Sequence, residues 1–247
     1  MKFNLMPITA AAFIAATPLT SAQAADLDPV AEVAQTNRFD FYASLYGGVN
    51  IDVGNTDFTN GLTTVETDFD TGFQFGGALG YKWNNYNLGG LTPRTEIEVN
   101  YFDRNVGALN FSGNGPAPEV VIDDSQVSGV GVLGNVYLDW TNAFDSGLTP
   151  YVGGGIGVSF VNNNIIYNGA ALNLNDQDTA FTWQVGAGVS HEITENASVF
   201  VDARYQQILN VDSLRRVGGV AAGGAGGGIF EDDVDSVLVR TGISIGF

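Results

Sequence analysis

Apolar and polar residues alternate along eight segments of the chain. Alternation with a period of two is typical of β-strands that present one apolar face. The pattern predicts strands over residues 39–51, 73–83, 94–102, 127–140, 150–161, 181–191, 199–205 and 237–247. Most of these segments match the ~9–11 residues that a tilted strand needs to cross a bilayer.

The connections between these strands alternate between long and short. Long connections follow the first, third, fifth and seventh strands, at residues 54–72, 103–126, 162–179 and 207–235. Short connections follow the second, fourth and sixth strands, at residues 84–93, 141–149 and 192–198. Long loops on one side and tight turns on the other are typical of outer-membrane barrels. We therefore predict an all-β fold, an eight-stranded antiparallel up-and-down transmembrane β-barrel over residues 39–247.

Charge indicates which face of the barrel meets lipid. The apolar positions of the eight strands contain no Lys, Arg, Asp or Glu. The opposite positions contain Asp40, Lys82, Arg94, Glu96, Glu98, Asp139, Asp202, Arg204 and Arg240. A soluble lipocalin-type barrel would point its apolar residues inward, whereas a membrane barrel points them at lipid. The face that carries these residues is rich in glycine and has few charges for a surface exposed to water. We therefore expect it to line the lumen.

Aromatic residues on the apolar face fall at two levels. If the N-terminus lies on the side of the short turns, one level contains Phe41, Trp83, Trp140 and Phe247. The other level contains Phe73, Phe75, Tyr101, Phe160, Phe181, Trp183 and Tyr205. Two such girdles mark the two headgroup layers of a membrane.

The first residues have the three parts of a secretory signal peptide. Lys2 precedes an apolar run from Leu5 to about Ala16, and the triplet Ala22-Gln23-Ala24 offers a small-residue cleavage site. The run is too short for a membrane-spanning helix. We expect residues 1–24 to be a cleaved signal peptide and residues 25–38 to be a periplasmic lead-in.

The composition weakens several other classes of function. The chain has a net charge of −18, no cysteine and one histidine. Strong acidity argues against nucleic-acid binding, which requires Lys and Arg to neutralise phosphates. The absence of cysteine excludes disulfides and thiolate metal sites. We predict no cofactor and no metal site, since no segment has the spacing of an EF-hand loop either.

Three stretches resemble the small outer-membrane β-barrel family, which includes the membrane domain of OmpA and porin-like surface antigens of alpha-proteobacteria. Residues 148–157 are similar to its fifth strand and residues 181–189 to its sixth. The final residues, Gly242 to Phe247, resemble the C-terminal signal that the barrel-assembly machinery recognises. The resemblance implies a Gram-negative outer membrane as the location. It also implies three partners, which are membrane lipid, lipopolysaccharide and the assembly machinery.

The resemblance leaves several functions open. The first is a structural surface antigen whose lumen is plugged by paired charges and whose external loops are acidic. The second is a narrow porin-like channel in which those charges form a gate. An adhesin acting through its loops and a soluble lipocalin-type carrier are further alternatives. Catalysis is not expected, because the single histidine, His191, faces outward at the end of a strand.

Overall fold

A computed structural model describes residues 40–54, 56–59, 63–86, 88–113, 125–141, 143–144, 147–167, 172–217, 220–221 and 229–247. The predicted signal peptide and lead-in, residues 1–38, lie outside this range. The strands are β1 (Phe41–Asp52), β2 (Thr56–Thr59), β3 (Thr63–Phe69), β4 (Gly72–Lys82), β5 (Leu91–Gly113), β6 (Gln126–Trp140), β7 (Leu148–Tyr167), β8 (Leu172–Glu192), β9 (Ala197–Val217), β10 (Val220–Ala221) and β11 (Ile229–Gly246).

Eight of these strands close into a ring. Each pairs antiparallel with the next in the order β1, β4, β5, β6, β7, β8, β9 and β11. Pairing of β1 with β11, from Tyr42↔Gly246 to Asp52↔Ser236, completes the ring. The predicted eight-stranded antiparallel barrel is therefore confirmed. Among the described residues, no helix is long and apolar enough to cross a bilayer.

The remaining strands lie within the long connections and extend the barrel at that end. β2 and β3 form a hairpin between β1 and β4, and β3 pairs with β5. β10 pairs with the end of β9. This end of the barrel is called the long-strand end below, and the opposite end is called the short-turn end.

The barrel strands run further than the alternation predicted. Residues 103–113, 162–167, 172–179 and 207–217 were expected in loops, but they continue β5, β7, β8 and β9. Ladder pairs such as Asn164↔Asn175 hold these extensions together. The prediction of loops was wrong there because outward positions beyond the bilayer carry polar residues such as Asn105, while inward positions such as Val106 and Ile208 are apolar and buried. The alternation of apolar outward and polar inward positions, which predicted the strands, therefore does not continue.

The apolar positions of the eight strands face outward. Leu45, Leu79, Ile97 and Ile156 are exposed to 69%, 65%, 66% and 63%, respectively. A continuous apolar belt of this kind is unfavourable in water and is favoured by lipid. The outward direction is opposite to that of a soluble lipocalin-type barrel, so that alternative is wrong.

Aromatic rings bound the apolar belt at both ends. At the short-turn end Phe41 stacks on Phe247, with ring centroids 6.5 Å apart. At the long-strand end Trp183 lies 5.4 Å from Tyr205 between ring centroids, and Phe73 lies 6.2 Å from Tyr101. The hydroxyls of Tyr101 and Tyr205 donate to Asp103 and Asp235, which places their polar tips on the outer side of the belt.

Some lumen positions admit no side chain. A Cβ atom on Gly157 would lie 2.1 Å from the Val132 carbonyl oxygen and 2.7 Å from the Leu133 Cα. Both are backbone atoms of the neighbouring strand, so they have little freedom to move away. At the outward-facing Gly134, the nearest atom to an added Cβ lies 4.0 Å away. The lumen-facing position 157 therefore requires glycine, whereas the lipid-facing position 134 has room for a side chain.

We predict that Gly157→Ala destabilises the barrel and that Gly134→Ala does not. Overpacking of a filled interior costs about 1–3 kcal/mol, and the backbone contacts of Gly157 favour the upper part of this range. Urea unfolding of the refolded protein, followed by tryptophan fluorescence, measures both variants. Equal stability of the two variants would contradict the close approach of β6 and β7.

Candidate functional site

Four charged side chains meet near the middle of the lumen. Glu98 comes from β5, Asp202 and Arg204 from β9, and Arg240 from β11. We call these four residues the central ion cluster. Each is buried, and the two guanidinium groups balance the two carboxylates. Glu98 and Arg204 come from strands four places apart in the ring of eight, so their contact spans the lumen.

The geometry of the central ion cluster is that of charge-assisted hydrogen bonding. Arg240 donates from Nε and Nη2 to the two carboxylate oxygens of Asp202, at 2.9 Å each. The Nη1 groups of Arg240 and Arg204 each lie 3.0 Å from a different oxygen of Glu98. Arg204 Nη2 also donates to Asp202 Oδ2 at 3.0 Å. Bidentate pairing of this kind is strong and directional.

Neutral side chains complete the hydrogen bonding of the two carboxylates. The Tyr46 hydroxyl donates to Glu98 Oε1 at 2.6 Å, and Asn135 Nδ2 donates to Oε2 at 2.9 Å. The Tyr151 hydroxyl donates to Asp202 Oδ2 at 3.0 Å. A buried ion pair is tolerated only when its remaining lone pairs are also bonded, and these contacts meet that condition.

A second group lies toward the short-turn end. Arg94 forms salt bridges with Glu96 and with Asp139, the latter at 3.0 Å from Nε. The Tyr42 hydroxyl donates to Glu96 and accepts from Arg94 Nη1 at 3.2 Å. We call Arg94, Glu96 and Asp139 the lower ion group. Its side chains, together with Lys82, line a cavity of about 40 Å³ below the central ion cluster.

Inward-facing tyrosines surround the guanidinium groups. The Arg94 guanidinium lies 4.2 Å from the ring centroid of Tyr137 and 4.7 Å from that of Tyr151. The Arg240 guanidinium lies 4.0 Å from the Tyr46 ring. Such cation–π contacts strengthen when water is excluded. Charge alone did not single out these tyrosines, although they occupy the same alternate positions as the charged residues.

Asp40 and Lys82 lie outside both groups of ions. The Asp40 carboxylate accepts from Asn84 Nδ2 at 2.8 Å and from the Tyr81 hydroxyl at 3.4 Å, at the rim of the short-turn end. Lys82 Nζ lies 5.7 Å from the centroid of the Tyr42 ring. The nine charges assigned to the lumen by alternation thus occupy the central ion cluster, the lower ion group and the short-turn rim.

A further buried charge pair near the long-strand end was missed. Arg104 Nη1 lies 3.1 Å from Asp52 Oδ1, and the guanidinium lies 4.7 Å from the Phe69 ring centroid. Arg104 continues the inward positions Arg94, Glu96 and Glu98 of β5. The third predicted strand ends at residue 102 and therefore does not include it. Extending the alternation by one further pair of residues would have identified it.

Burial in this region alters the acidity of Asp52. Phe73 belongs to the outer girdle and pairs with Asp103 of β5. Arg104 and Asp52 follow these positions toward the long-strand end, so they lie beyond the membrane-spanning segments. Burial raises the pKa of the Asp52 carboxyl to about 6, and nearby Asp235 adds to the increase. The Arg104 guanidinium lowers the same pKa, but less than burial raises it.

An apolar layer fills the lumen at the same end of the barrel. Its buried members come from β5, β6, β7, β8, β9 and β11, and Phe69 of β3 packs against them. They are Phe102, Val106, Val127, Val161, Ala180, Ile208, Val211 and Val234. This apolar layer means that the inward face of the barrel is polar at mid-lumen and apolar above it.

The other sites considered from the sequence lie apart from the lumen. His191 is exposed at the short-turn end of β8. Within the part of the chain that the structure describes, no group of three or more His, Cys, Asp or Glu side chains is placed to hold a metal ion. The lumen ion groups are therefore the candidate functional site.

Solved structures of similar fold are outer-membrane proteins. OprG from Pseudomonas aeruginosa aligns with 85% of this chain and 97% of its own, at a TM-score of 0.57 and 12% identity. Neisserial surface protein A aligns with 84% of this chain and 97% of its own, at 0.47 and 14%. AlkL in lipid bilayers aligns with 90% and 97%, at 0.46 and 19%. At 12% identity the similarity to OprG concerns the fold alone.

A closed antiparallel ring of eight strands, with an outward apolar belt between two aromatic girdles, defines an outer-membrane β-barrel. The sequence profile described as surface antigen matches residues 46–217, which is more than half of the chain. The protein belongs to this surface antigen family. No curated protein sequence matches the chain significantly.

We predict that Arg240→Met strongly destabilises the barrel. The substitution leaves two buried carboxylates with one guanidinium, and breaking a buried pair in this way costs about 3–5 kcal/mol. The double variant Arg240→Met/Asp202→Leu restores charge balance and should recover much of the loss. Urea unfolding of the refolded proteins measures both. A double variant that loses the sum of the two single effects would contradict coupling within the central ion cluster.

We predict that Asp52 makes stability fall as pH rises from about 4 to about 6. The folded state keeps the Asp52 proton up to a pKa of about 6, whereas the unfolded chain releases it near its ordinary value of about 4. The folded state binds more protons in this window, so raising the pH favours unfolding. The urea midpoint of the natural protein should fall relative to that of Asp52→Asn across this window. Parallel midpoint curves would contradict the assignment.

Proposed function

We propose that the protein is a structural surface antigen of a Gram-negative outer membrane, with a lumen closed by paired charges and acidic projections outside. The observation that carries this proposal is the pair of layers inside the barrel. A neutral, fully hydrogen-bonded ion cluster spans the lumen, and the apolar layer covers it on the long-strand side.

The packing of these two layers supports a closed lumen. Glu98 and Arg240 are 1% and 2% exposed, and Phe102 and Val211 in the apolar layer are 1% and 0% exposed. A hydrated solute would have to break ion pairs that are stable only together, and then cross the apolar layer without water. A filled barrel of this kind favours a stable platform for external segments over transport.

A narrow channel is the alternative function. The observation in its favour is the cavity of about 40 Å³ between the short-turn end and the central ion cluster. It is lined in part by Lys82, Arg94 and Arg240. Exchange of carboxylate partners by these cations would open a gate, and the cavity would form the lower part of the path.

The external surface is the part that would meet an outside partner. The exposed carboxylates Glu66, Asp68 and Asp70 lie in or beside the β2–β3 hairpin, which projects from the long-strand end. Acidic projections favour solubility of the exterior and repel anionic surfaces. Display of these segments, including an adhesive role toward an unidentified partner, is consistent with a surface antigen.

Biogenesis supplies the remaining proposed partners. We expect residues 1–24 to direct export and residues 25–38 to remain periplasmic. The outer girdle would meet lipopolysaccharide. The barrel-assembly machinery would recognise the final strand, whose terminal Phe247 donates its backbone N–H to the Phe41 carbonyl at 2.9 Å.

We predict that the refolded protein gives no conductance above that of protein-free planar bilayers. Glu98→Ala and Arg204→Ala test the gate directly, because each removes one partner of a cross-lumen pair. If the lumen is closed by packing, neither variant conducts. Ion currents from the natural protein, or currents that appear only in a folded variant, would favour the channel.

We predict that Phe247→Ala reduces the amount of assembled barrel in the outer membrane. Loss of the terminal ring removes both the expected assembly signal and the stacking on Phe41. Cell fractionation and the difference in gel mobility between heated and unheated samples measure assembly. Trp140→Ala, which removes another ring of the same girdle, is the matched control and should assemble more fully. A natural protein found in the periplasm without heat-dependent mobility would contradict the proposed location.

A further inference from the structure

Between the central ion cluster and the long-strand end, the side chain of Arg104 runs along the lumen face of the barrel from β5 to β1. Its Cα lies on β5, yet its Nη1 reaches Asp52 Oδ1 at the end of β1. The strand between them, β4, presents Gly72 in the same row. A Cβ atom on Gly72 would lie 2.7 Å from the Arg104 Cβ. The arginine therefore lies beside bare backbone at Gly72, and its side chain reaches past β4 to β1.

Two amide side chains flank this arginine. Asn50 of β1 is the register partner of Gly72, and Gln74 follows Gly72 by two residues on the same inward face of β4. Asn50, Gln74 and Arg104 are 2%, 1% and 2% exposed. The three buried side chains thus lie close in register on three neighbouring strands, away from bulk water.

These side chains carry hydrogen-bonding atoms that no protein group satisfies. Among the described residues, Asn50 Oδ1, Gln74 Oε1, Gln74 Nε2 and Arg104 Nε have no hydrogen-bond partner in the protein. Each buried atom in this state is unfavourable, because it has lost its hydrogen bonds to water without gaining a replacement. Two of the atoms are acceptors and two are donors. They are complementary to one another, but they do not bond directly.

We propose that Asn50, Gln74 and Arg104 form a binding site for ordered water in the lumen. A buried water molecule makes ~3 hydrogen bonds and occurs where polar groups of both kinds converge. Water fits this requirement because it donates to the two amide oxygens and accepts from the two N–H groups. An ion does not, since the charges of Arg104 and Asp52 already balance.

The proposed site adjoins the apolar layer, because Gln74 and Arg104 are the register partners of its members Phe102 and Val127. The central ion cluster lies further toward the short-turn end. Bound water would accept a hydrogen bond from Arg104 Nε. The arginine could then keep its charge in the lumen with Asp52 as its carboxylate partner. This role holds whether or not the lumen conducts solutes.

Nuclear magnetic resonance of the refolded protein in detergent micelles tests the site directly. Cross-relaxation between water and the Gln74 Nε2 and Arg104 Nε protons should report long-lived bound water. The Gln184 amide is the control, because its Nε2 donates to Asn135 Oδ1 at 2.8 Å and to Glu98 Oε2 at 3.4 Å. Gln74→Met identifies the Gln74 signal. Absence of a water signal at Gln74 would overturn the proposal.

A double-mutant cycle provides a second test. Each single substitution shifts the urea midpoint in one direction if water is bound and in the other direction if the amides are unpaired. If water bridges the amides, Gln74→Met and Asn50→Leu each lower the urea midpoint, because each strips partners from bound water. The double variant should then lose less than the sum of the single effects. If the amides are merely unpaired, each apolar replacement raises the midpoint, and the proposal fails.

Discussion

The ladder between β1 and β11 is the interaction on which the rest of the structure depends. In lipid no water is available to satisfy an exposed N–H or C=O group, and each such group costs several kcal/mol. Pairing the first barrel strand with the last removes both edges of the sheet. Closure also separates the two faces of every strand permanently, since one faces lipid and the other an enclosed lumen. The apolar belt, the girdles and the buried charges all follow from this separation.

An enclosed lumen of eight strands is narrow enough for side chains to fill. Large side chains lie where the neighbouring wall is bare, as where Arg104 lies beside Gly72. Charges placed in this space have little access to water and must find partners across it. The contact of Glu98 with Arg204 and Arg240 therefore ties opposite sides of the ring together, in addition to the backbone ladders. Ordered water at Asn50 and Gln74 would extend the same hydrogen bonding to Arg104.

Much of the fold could be predicted from the sequence, because lipid and lumen impose a strict period of two. The eight strands, their antiparallel order and the outward direction of Leu45 or Ile156 follow from that period. The strand ends could not be predicted in the same way. Beyond the bilayer the outward positions of β5 meet water and are polar, as at Asn105, while the inward position Val106 is apolar and buried, so the alternation that marks the bilayer-spanning part ends. Arg104 was missed for this reason, although it occupies an inward position.

The sequence by itself determined which residues face lipid and which carry charge toward the lumen, because facing depends only on parity along each strand. Only the tertiary structure decided which charges meet. Asp202 and Arg240 are register partners on adjacent strands, but Glu98 reaches Arg240 from across the ring. Asp40, with the same parity, bonds at the rim instead. Partner choice depends on strand tilt, register and the room left by glycine, and these are properties of the closed barrel and not of any single strand.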